Sequence, residues 1–264
     1  MVFFDVVMEM RVFFIVLARD ASGIDKKARE LTGLGYPYLI VCGEKVNHSN
    51  VVYREPKGKY DAVNFGLKFV PSDTDVVAFN DVDAEIHNFN KALGLLQDES
   101  VFLVFAKVHV GYGPQLKFYS FLDPIRERIP IAASGELMLI KYEVLRSILP
   151  LRGCKAEDSY ILFKVLEKGG KAVFCEECYV TTKRTTHAEQ EEAYKRRTVG
   201  GIYQALSMTK PTIAVRLFYV LLPLISPLLV ILGKSGYYWT KGIILGFVDY
   251  VRGDRTGAWT PTYT

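Results

Sequence analysis

The run Val76-Val77-Ala78-Phe79-Asn80-Asp81-Val82-Asp83 carries more information than any other in this chain. Its first four residues are apolar and read as a buried strand. The strand leads into two carboxylates one residue apart. At a strand end that spacing lets both turn toward one polyanionic ligand. A divalent cation between them would join the protein to a diphosphate, because hard cations prefer oxygen ligands. The plainer alternative is that Asp81 and Asp83 are ordinary loop-forming residues after a strand. The rest of the chain has to decide between the two.

The pattern around this run is a regular alternation of strand and helix. On its N-terminal side, Val12–Leu17 is a continuous apolar strand followed by Ala18-Arg19-Asp20 and a Ser22-Gly23 turn. Ile24–Leu34 fits a helix with Lys26, Lys27, Arg29 and Glu30 outward, stopped by Gly33 and Gly35. Tyr38–Val41 and Val51–Tyr53 are short strands, the first running into Cys42-Gly43-Glu44, and Gly58–Phe69 is helical. On its C-terminal side come a helix at Phe89–Leu96 and a strand at Val101–Val110. A Gly135-Glu136 loop then precedes an apolar run, and a short helix follows at Tyr142–Leu149. A helix begins after Glu157-Asp158, Ala172–Val180 is a strand, and Glu189–Leu206 is a helix bearing Lys195-Arg196-Arg197. This alternation predicts a mostly parallel sheet with helices on both faces, an α/β fold. Ligands of such sheets bind beyond the carboxyl ends of the strands. Asp20, Glu44, Asp81 and Asp83 all fall just after strands and are expected to face one crevice.

Composition sets the class. In 264 residues, 50% are apolar and 23% charged, so the chain is folded; a net charge of +4 gives no sign of nucleic-acid binding. Cys175-Glu-Glu-Cys178 lacks a second ligand pair and reads as structural thiols, with a disulfide or redox pair as the alternative, its two side chains pointing to opposite faces of a strand. Few thermolabile residues (four Cys, four Gln, six Asn) point to a thermophilic source. Met1–Met10 has no cleavage site of a signal peptide, which is consistent with a catalytic part on the cytoplasmic side. The aromatic segment within Gly111–Pro130, ending in Arg126-Glu127-Arg128, is read as core packing, with an amphipathic helix on a membrane surface as the alternative.

After residue 206 the chain changes character. Residues 1–206 are expected to form the catalytic domain and 207–264 a membrane domain. Thr212–Leu232 has one charge, Arg216, and is long enough to span a bilayer. Tyr237–Val251 is a second, shorter apolar stretch opened by Tyr237-Tyr238-Trp239. Either the two form a hairpin that crosses and returns, or the second is re-entrant or tilted. Basic residues at both ends (Lys195–Arg197, Lys210, Arg216; Arg252, Arg255) favour the hairpin and an integral cell-membrane protein.

The order of these motifs resembles the family-two inverting glycosyltransferases of the GT-A fold. The residues that carry it are Ala18-Arg19-Asp20, Lys59-x4-Asn64-x-Gly66, Asp81-Val82-Asp83, Gly135, and Glu157-Asp158 at a helix start. Within Tyr194–Thr198, Arg197 matches the Arg of the cellulose-synthase-like Gln-x-x-Arg-Trp. The resemblance covers roughly residues 11–206. It implies a GT-A, Rossmann-like mixed sheet and transfer from a nucleotide-diphosphate sugar, with GDP-mannose first. It also implies Mn²⁺ or Mg²⁺ as cofactor and a polyprenyl- or dolichyl-phosphate-linked acceptor at the membrane, in glycan biosynthesis.

Carried over by position, Asp158 is the general base with Glu157 beside it. Ala18, Arg19, Asp20, Glu44, Lys59 and Asp81 face the donor nucleotide. Asp83 and Asp81, with His187 as a possible third ligand, hold the metal. Gly135, Glu136, Arg196 and Arg197 approach the diphosphate or acceptor. An aspartate in a first helical turn is expected to be stabilised as the anion. Tyr194 and Thr198 stand where that branch has Gln and Trp, which argues against a processive polysaccharide synthase and for a single transfer. A nucleotidyltransferase and a non-catalytic scaffold are the other readings of the same pattern.

Overall fold

In the computed structural model, which describes residues 10–182 and 187–253, the chain is built on one eight-stranded sheet. The strands are β1 (Val12–Ala18), β2 (Tyr38–Cys42), β3 (Val51–Tyr53), β4 (Val76–Asp81), β5 (Glu85–His87), β6 (Val101–His109), β7 (Leu137–Lys141) and β8 (Lys171–Thr181). Their order across the sheet is β3-β2-β1-β4-β7-β6-β8-β5. Four pairings are parallel and three antiparallel among the described residues, the antiparallel ones involving β7 and the edge strand β5. The expected mixed, mostly parallel sheet is therefore present. β4 lies at its centre between β1 and β7, and Val76 to Asn80 are all buried. A strand covered on both faces cannot alternate apolar and polar residues, which is why the run was legible in the sequence.

Helices cover both faces. α1 (Ile24–Leu34) and α3 (Phe89–Leu95) pack on the face carrying Phe14, Val16, Ile40 and Ala78. The opposite face, with Ile15, Val41, Phe79, Phe105 and Ile140, is covered by residues of α2 (Lys59–Gly66), α5 (Tyr142–Arg146), α6 (Glu157–Glu167) and α7 (Gln190–Ser207). α4 (Pro114–Arg128), from the aromatic segment, also lies here. Its Arg126 is buried over the Phe105 and Phe174 rings and pairs with Asp123 at 3.0 Å. Packing therefore accounts for the inner side of α4, while Leu116 and Phe121 remain exposed. The CxxC expectation is corrected in part. The register of β8 against β6 jumps between Cys175 and Tyr179, and this bulge turns both Cys175 and Cys178 into the same core as buried free thiols.

The C-terminal segment differs from the expected hairpin. Among the described residues one helical stretch is long and apolar enough to cross a membrane, Ile213–Leu232. It comprises α8 (Ile213–Ile225) and a 3-10 stretch, Ser226–Leu232. The second apolar stretch becomes α9 (Lys234–Val251), which packs along α7 and is not long and apolar enough to cross a membrane by the same measure. Its Trp239 is fully buried and donates to Glu191 of α7 at 2.9 Å, and Glu191 also accepts from Gln115 of α4 at 2.8 Å. Gly242 and Gly246 let the helices meet closely: a Cβ at either would lie 2.6 Å from a backbone oxygen of α7. The apolar character of this stretch is thus spent on a protein contact. The Met1–Met10 segment, apart from Met10, and Arg255 lie outside the described residues.

Candidate active site

The carboxyl ends of β1, β2 and β4 interlock through short loops. Ala18 accepts a hydrogen bond from Gly43 N–H at 3.0 Å, Glu44 accepts from Ala21 N–H at 3.1 Å, and Asp20 accepts from Ser22 N–H at 2.9 Å. Gly43 lies so close to Arg19 that a Cβ would sit 2.4 Å from its carbonyl oxygen. Ala18, Arg19, Asp20 and Glu44 are therefore brought to one place, as expected, although Asp20 and Glu44 are here tied to backbone N–H groups.

α2 explains the spacing Lys59-x4-Asn64-x-Gly66. Lys59, in its first turn, extends an ammonium that lies 2.8 Å from both carboxylate oxygens of Asp81 and 3.9 Å from Glu157. Asn64 clamps the loop before α6 by a two-way bond, donating to Leu151 C=O at 2.9 Å and accepting from Leu151 N–H at 2.8 Å. Gly66 packs against Ile15 and Val41 of the sheet. One helix thus sets the distance between the end of β4 and the start of α6. The N-terminus of α6 is closed from the other side by α7, where Gln204 accepts from Lys155 N–H at 3.1 Å. Gly135 completes the wall: a Cβ there would come within 3.1 Å of Asp158 Oδ2. Glu136 contributes its backbone carbonyl, which accepts from Asn80 Nδ2 at 2.5 Å.

The electrostatics follow from three carboxylates and one ammonium in a confined space. Burial alone would lower the Lys59 pKa, but Asp81, Glu157 and Asp158 outweigh it and hold the amine protonated. Burial pushes Glu157 up to about 7, with Asp158 and Asp81 adding repulsion and Lys59 opposing. Burial also raises Asp158, against the Ser159 N–H that donates to it at 2.6 Å and the charges of Lys59 and Arg197. The expectation that helix position would leave Asp158 a more stable anion is thus corrected: desolvation in this setting exceeds the pull of the helix N-terminus. A carboxylate raised in this way is a stronger proton acceptor, which suits general-base work near neutral pH.

Lys27, expected to face outward, is a supporting residue. It is 1% exposed; its ammonium donates to Ala84 C=O at 2.5 Å and pairs with Glu30 at 2.7 Å, and Glu30 accepts from Ile86 N–H at 2.6 Å. These bonds hold the turn bearing Asp81 and Asp83 from beneath. Lys27 lies three residues after Ile24 and four before Leu31, on the stripe that α1 buries, so the helical period carried the signal and the charge masked it.

The basic triplet of α7 divides. Lys195 is buried with its ammonium 3.1 Å from the Phe118 ring centroid. Arg196 turns to Asp249 of α9, at 2.5 and 2.8 Å, rather than into the crevice. Arg197 has its guanidinium carbon 5.7 Å from the Tyr194 ring centroid, its charge opposes the rise in the Asp158 pKa, and its Nε is buried with no hydrogen-bond partner among the described residues. His187 is exposed, and among the described residues no three His, Cys, Asp or Glu side chains gather into a protein-only metal cage. The donor chemistry nevertheless fits a hard cation. Asp83 is exposed beside Asp81, and a cation of the Mg²⁺ type needs only one or two carboxylates when phosphate oxygens and water complete its shell.

No protein-family model matches the chain, and no curated protein is significantly similar to it in sequence. Solved structures do match in shape. The mannosyltransferase PcManGT from Pyrobaculum calidifontis, in complex with GDP-Man and Mn²⁺, aligns over 92% of this chain and 88% of its own, with 16% identity and a TM-score of 0.69. GalNAc-T7 with UDP, GalNAc and Mn²⁺ aligns over 93% of this chain and 57% of its own, with 12% identity and a TM-score of 0.56. Residues 1–349 of S. aureus TarS align over 92% of both chains, with 13% identity and a TM-score of 0.50. At these identities the likeness is one of fold, and the fold is GT-A.

Proposed function

We propose that this chain is an inverting, metal-dependent glycosyltransferase that moves one sugar from a nucleotide diphosphate to a lipid-linked acceptor. The observation that carries this reading is the convergence of Lys59, Asp81, Glu157, Asp158 and Gly135 beyond the carboxyl end of β4. Mannose from GDP-mannose is the first choice of donor, supported by the fold shared with PcManGT. In this reading Asp158 takes the proton of an acceptor hydroxyl as that oxygen attacks the anomeric carbon. The bond from that carbon to the diphosphate oxygen breaks on the opposite face, and the nucleoside diphosphate leaves. Lys59 holds Asp81 in place, and Arg197 offers its unpartnered Nε to a phosphate. A divalent cation, when bound, would be held by Asp83 and, in competition with Lys59, by Asp81, and would supply charge neutralisation for a diphosphate. Glu157, nearly buried and raised in pKa, sets the field around the base. Ala18, Arg19, Asp20 and Glu44 frame the nucleotide.

The test is a thermal-shift screen of GDP, UDP, CDP and TDP with Mn²⁺ or Mg²⁺, followed by transfer assays on variants. A preferred nucleotide is expected to raise Tm by mass action, and only with metal. Asp158→Asn is expected to lower transfer by about 10²–10⁴-fold while leaving the donor-induced shift in place. Asp83→Ala is expected to remove the metal-dependent part of that shift. Release of pyrophosphate in place of a nucleoside diphosphate, or full turnover in Asp158→Asn, would overturn the reading.

A further inference from the structure

The stretch Ile213–Leu232 shows two faces. Ile213, Leu217, Val220, Leu224, Leu228 and Ile231 recur every three or four residues and are exposed, Ile213 by 76%, Leu224 by 74% and Ile231 by 90%. The opposite stripe is held by the protein. Val215 and Tyr219 are buried at 0% and 3%, and Ser226 is 1% exposed. Tyr219 donates its hydroxyl to Ile131 C=O at 2.8 Å and accepts from Tyr203 at its own carbonyl at 2.6 Å. Ser226 accepts at its carbonyl from Thr240 of α9 at 2.6 Å.

As a helix, twenty residues run about 30 Å, the thickness of a hydrocarbon core. Tyr219 and Ser226 fall at roughly one third and two thirds of that length. If the stretch crossed a bilayer, these two attachments would draw Ile131, Tyr203 and Thr240 into the hydrocarbon along with the helices that carry them. A helix fastened at two inner points along its own side cannot stand across the membrane; it can lie along it.

We infer that Ile213–Leu232 is an in-plane anchor whose outer stripe sits in the surface of an anionic phospholipid bilayer, with both ends on one side. Charge complementarity selects lipid as the occupant. The stretch contains no acidic residue; exposed Lys210 and Arg216 stand at its N-terminal end, while Lys234 just past its other end is paired with Glu189. The inner face is bonded to the segment that leads to the site: Tyr219 donates to Ile131, four residues before Gly135. A lipid-borne hydroxyl would then approach Asp158 from this side of the protein. That last step, the delivery of a lipid-borne hydroxyl to Asp158, rests on the glycosyltransferase reading; the mode of attachment does not.

The four native cysteines are buried, so single cysteines placed at the ends can be read without background. Thr212→Cys and Lys234→Cys are expressed separately and tested in sealed inside-out membrane vesicles with an impermeant maleimide. Equal reaction at both ends is the expected result. Reaction at one end only overturns the proposal, as does reaction at neither end in inside-out and right-side-out vesicles alike until detergent is added. In flotation with vesicles of phosphatidylcholine and phosphatidylglycerol, the wild-type chain is expected to float. Leu224→Glu/Leu228→Glu is expected to lose that binding by about tenfold or more while keeping its nucleotide-induced thermal shift. Unchanged flotation of the double variant, or a wild-type chain that dimerises and does not float, overturns it. Both measurements are made without turnover, so failure of the enzymatic reading leaves them interpretable.

Discussion

Replacing Lys59 by Met tests the site most directly, because one ammonium serves three carboxylates. The side chain is 29% exposed and its main partner Asp81 is 19% exposed. Removing one member of a buried ion pair costs about 3–5 kcal/mol. Partial exposure of both partners screens this to about 2–3 kcal/mol. For a chain of this size each kcal/mol corresponds to about 2–4 °C, so Lys59→Met is expected to lower Tm by about 4–12 °C at pH 7.5. The penalty belongs to ionised carboxylates. Lys59 lowers the pKa of both Glu157 and Asp158, so without it both take up protons at higher pH still. The deficit is therefore expected to shrink as pH falls toward 4.5. The assay is thermal unfolding of wild type, Lys59→Met, Asp81→Asn and the double variant at pH 7.5, 6.0 and 4.5. A coupling of about 0.5–3 kcal/mol between the two sites is expected at pH 7.5. Mn²⁺ is expected to raise Tm more in Lys59→Met than in wild type, since it no longer competes with an ammonium for Asp81. A loss of Tm that does not change with pH, or strict additivity in the double variant, would refute the argument.

Gly135→Ala places a methyl 3.1 Å from Asp158 Oδ2; it is expected to fold, with Tm within a few degrees of wild type, and to lose about tenfold or more in kcat by displacing the carboxylate. Glu157→Gln tests the raised pKa. Between its ordinary value of 4.5 and about 7 the folded state binds a proton that the unfolded state releases, so wild-type stability falls as pH rises through that window. The Gln variant is expected to be more stable than wild type above pH 7, by about 1–3 kcal/mol, and to have no advantage at pH 4.5. Urea unfolding at the two pH values checks this.

Much of the fold was legible in the chain because it rests on local signals. Val76–Phe79 is apolar throughout because β4 is covered on both faces, and runs like it at β1 and β6 mark the other interior strands. The site was legible where its residues sit at strand ends and helix starts, as Asp81 and Asp158 do. What the chain could not show is how one apolar stretch is used. Thr212–Leu232 and Tyr237–Val251 both read as lipid-facing, yet Trp239 and Ile243 are buried against protein, because apolar surface is removed from water equally well by a helix or by a lipid. Nor could charge pattern say that Lys27 is buried, that Arg196 turns to Asp249, or that burial outweighs the helix N-terminus at Asp158. By itself the sequence determined the order of strands and helices and the positions of the acidic groups, since those depend on neighbours along the chain. Tertiary structure alone decided which cation meets which carboxylate and which apolar face is left for a membrane, since burial and charge pairing depend on residues far apart in sequence.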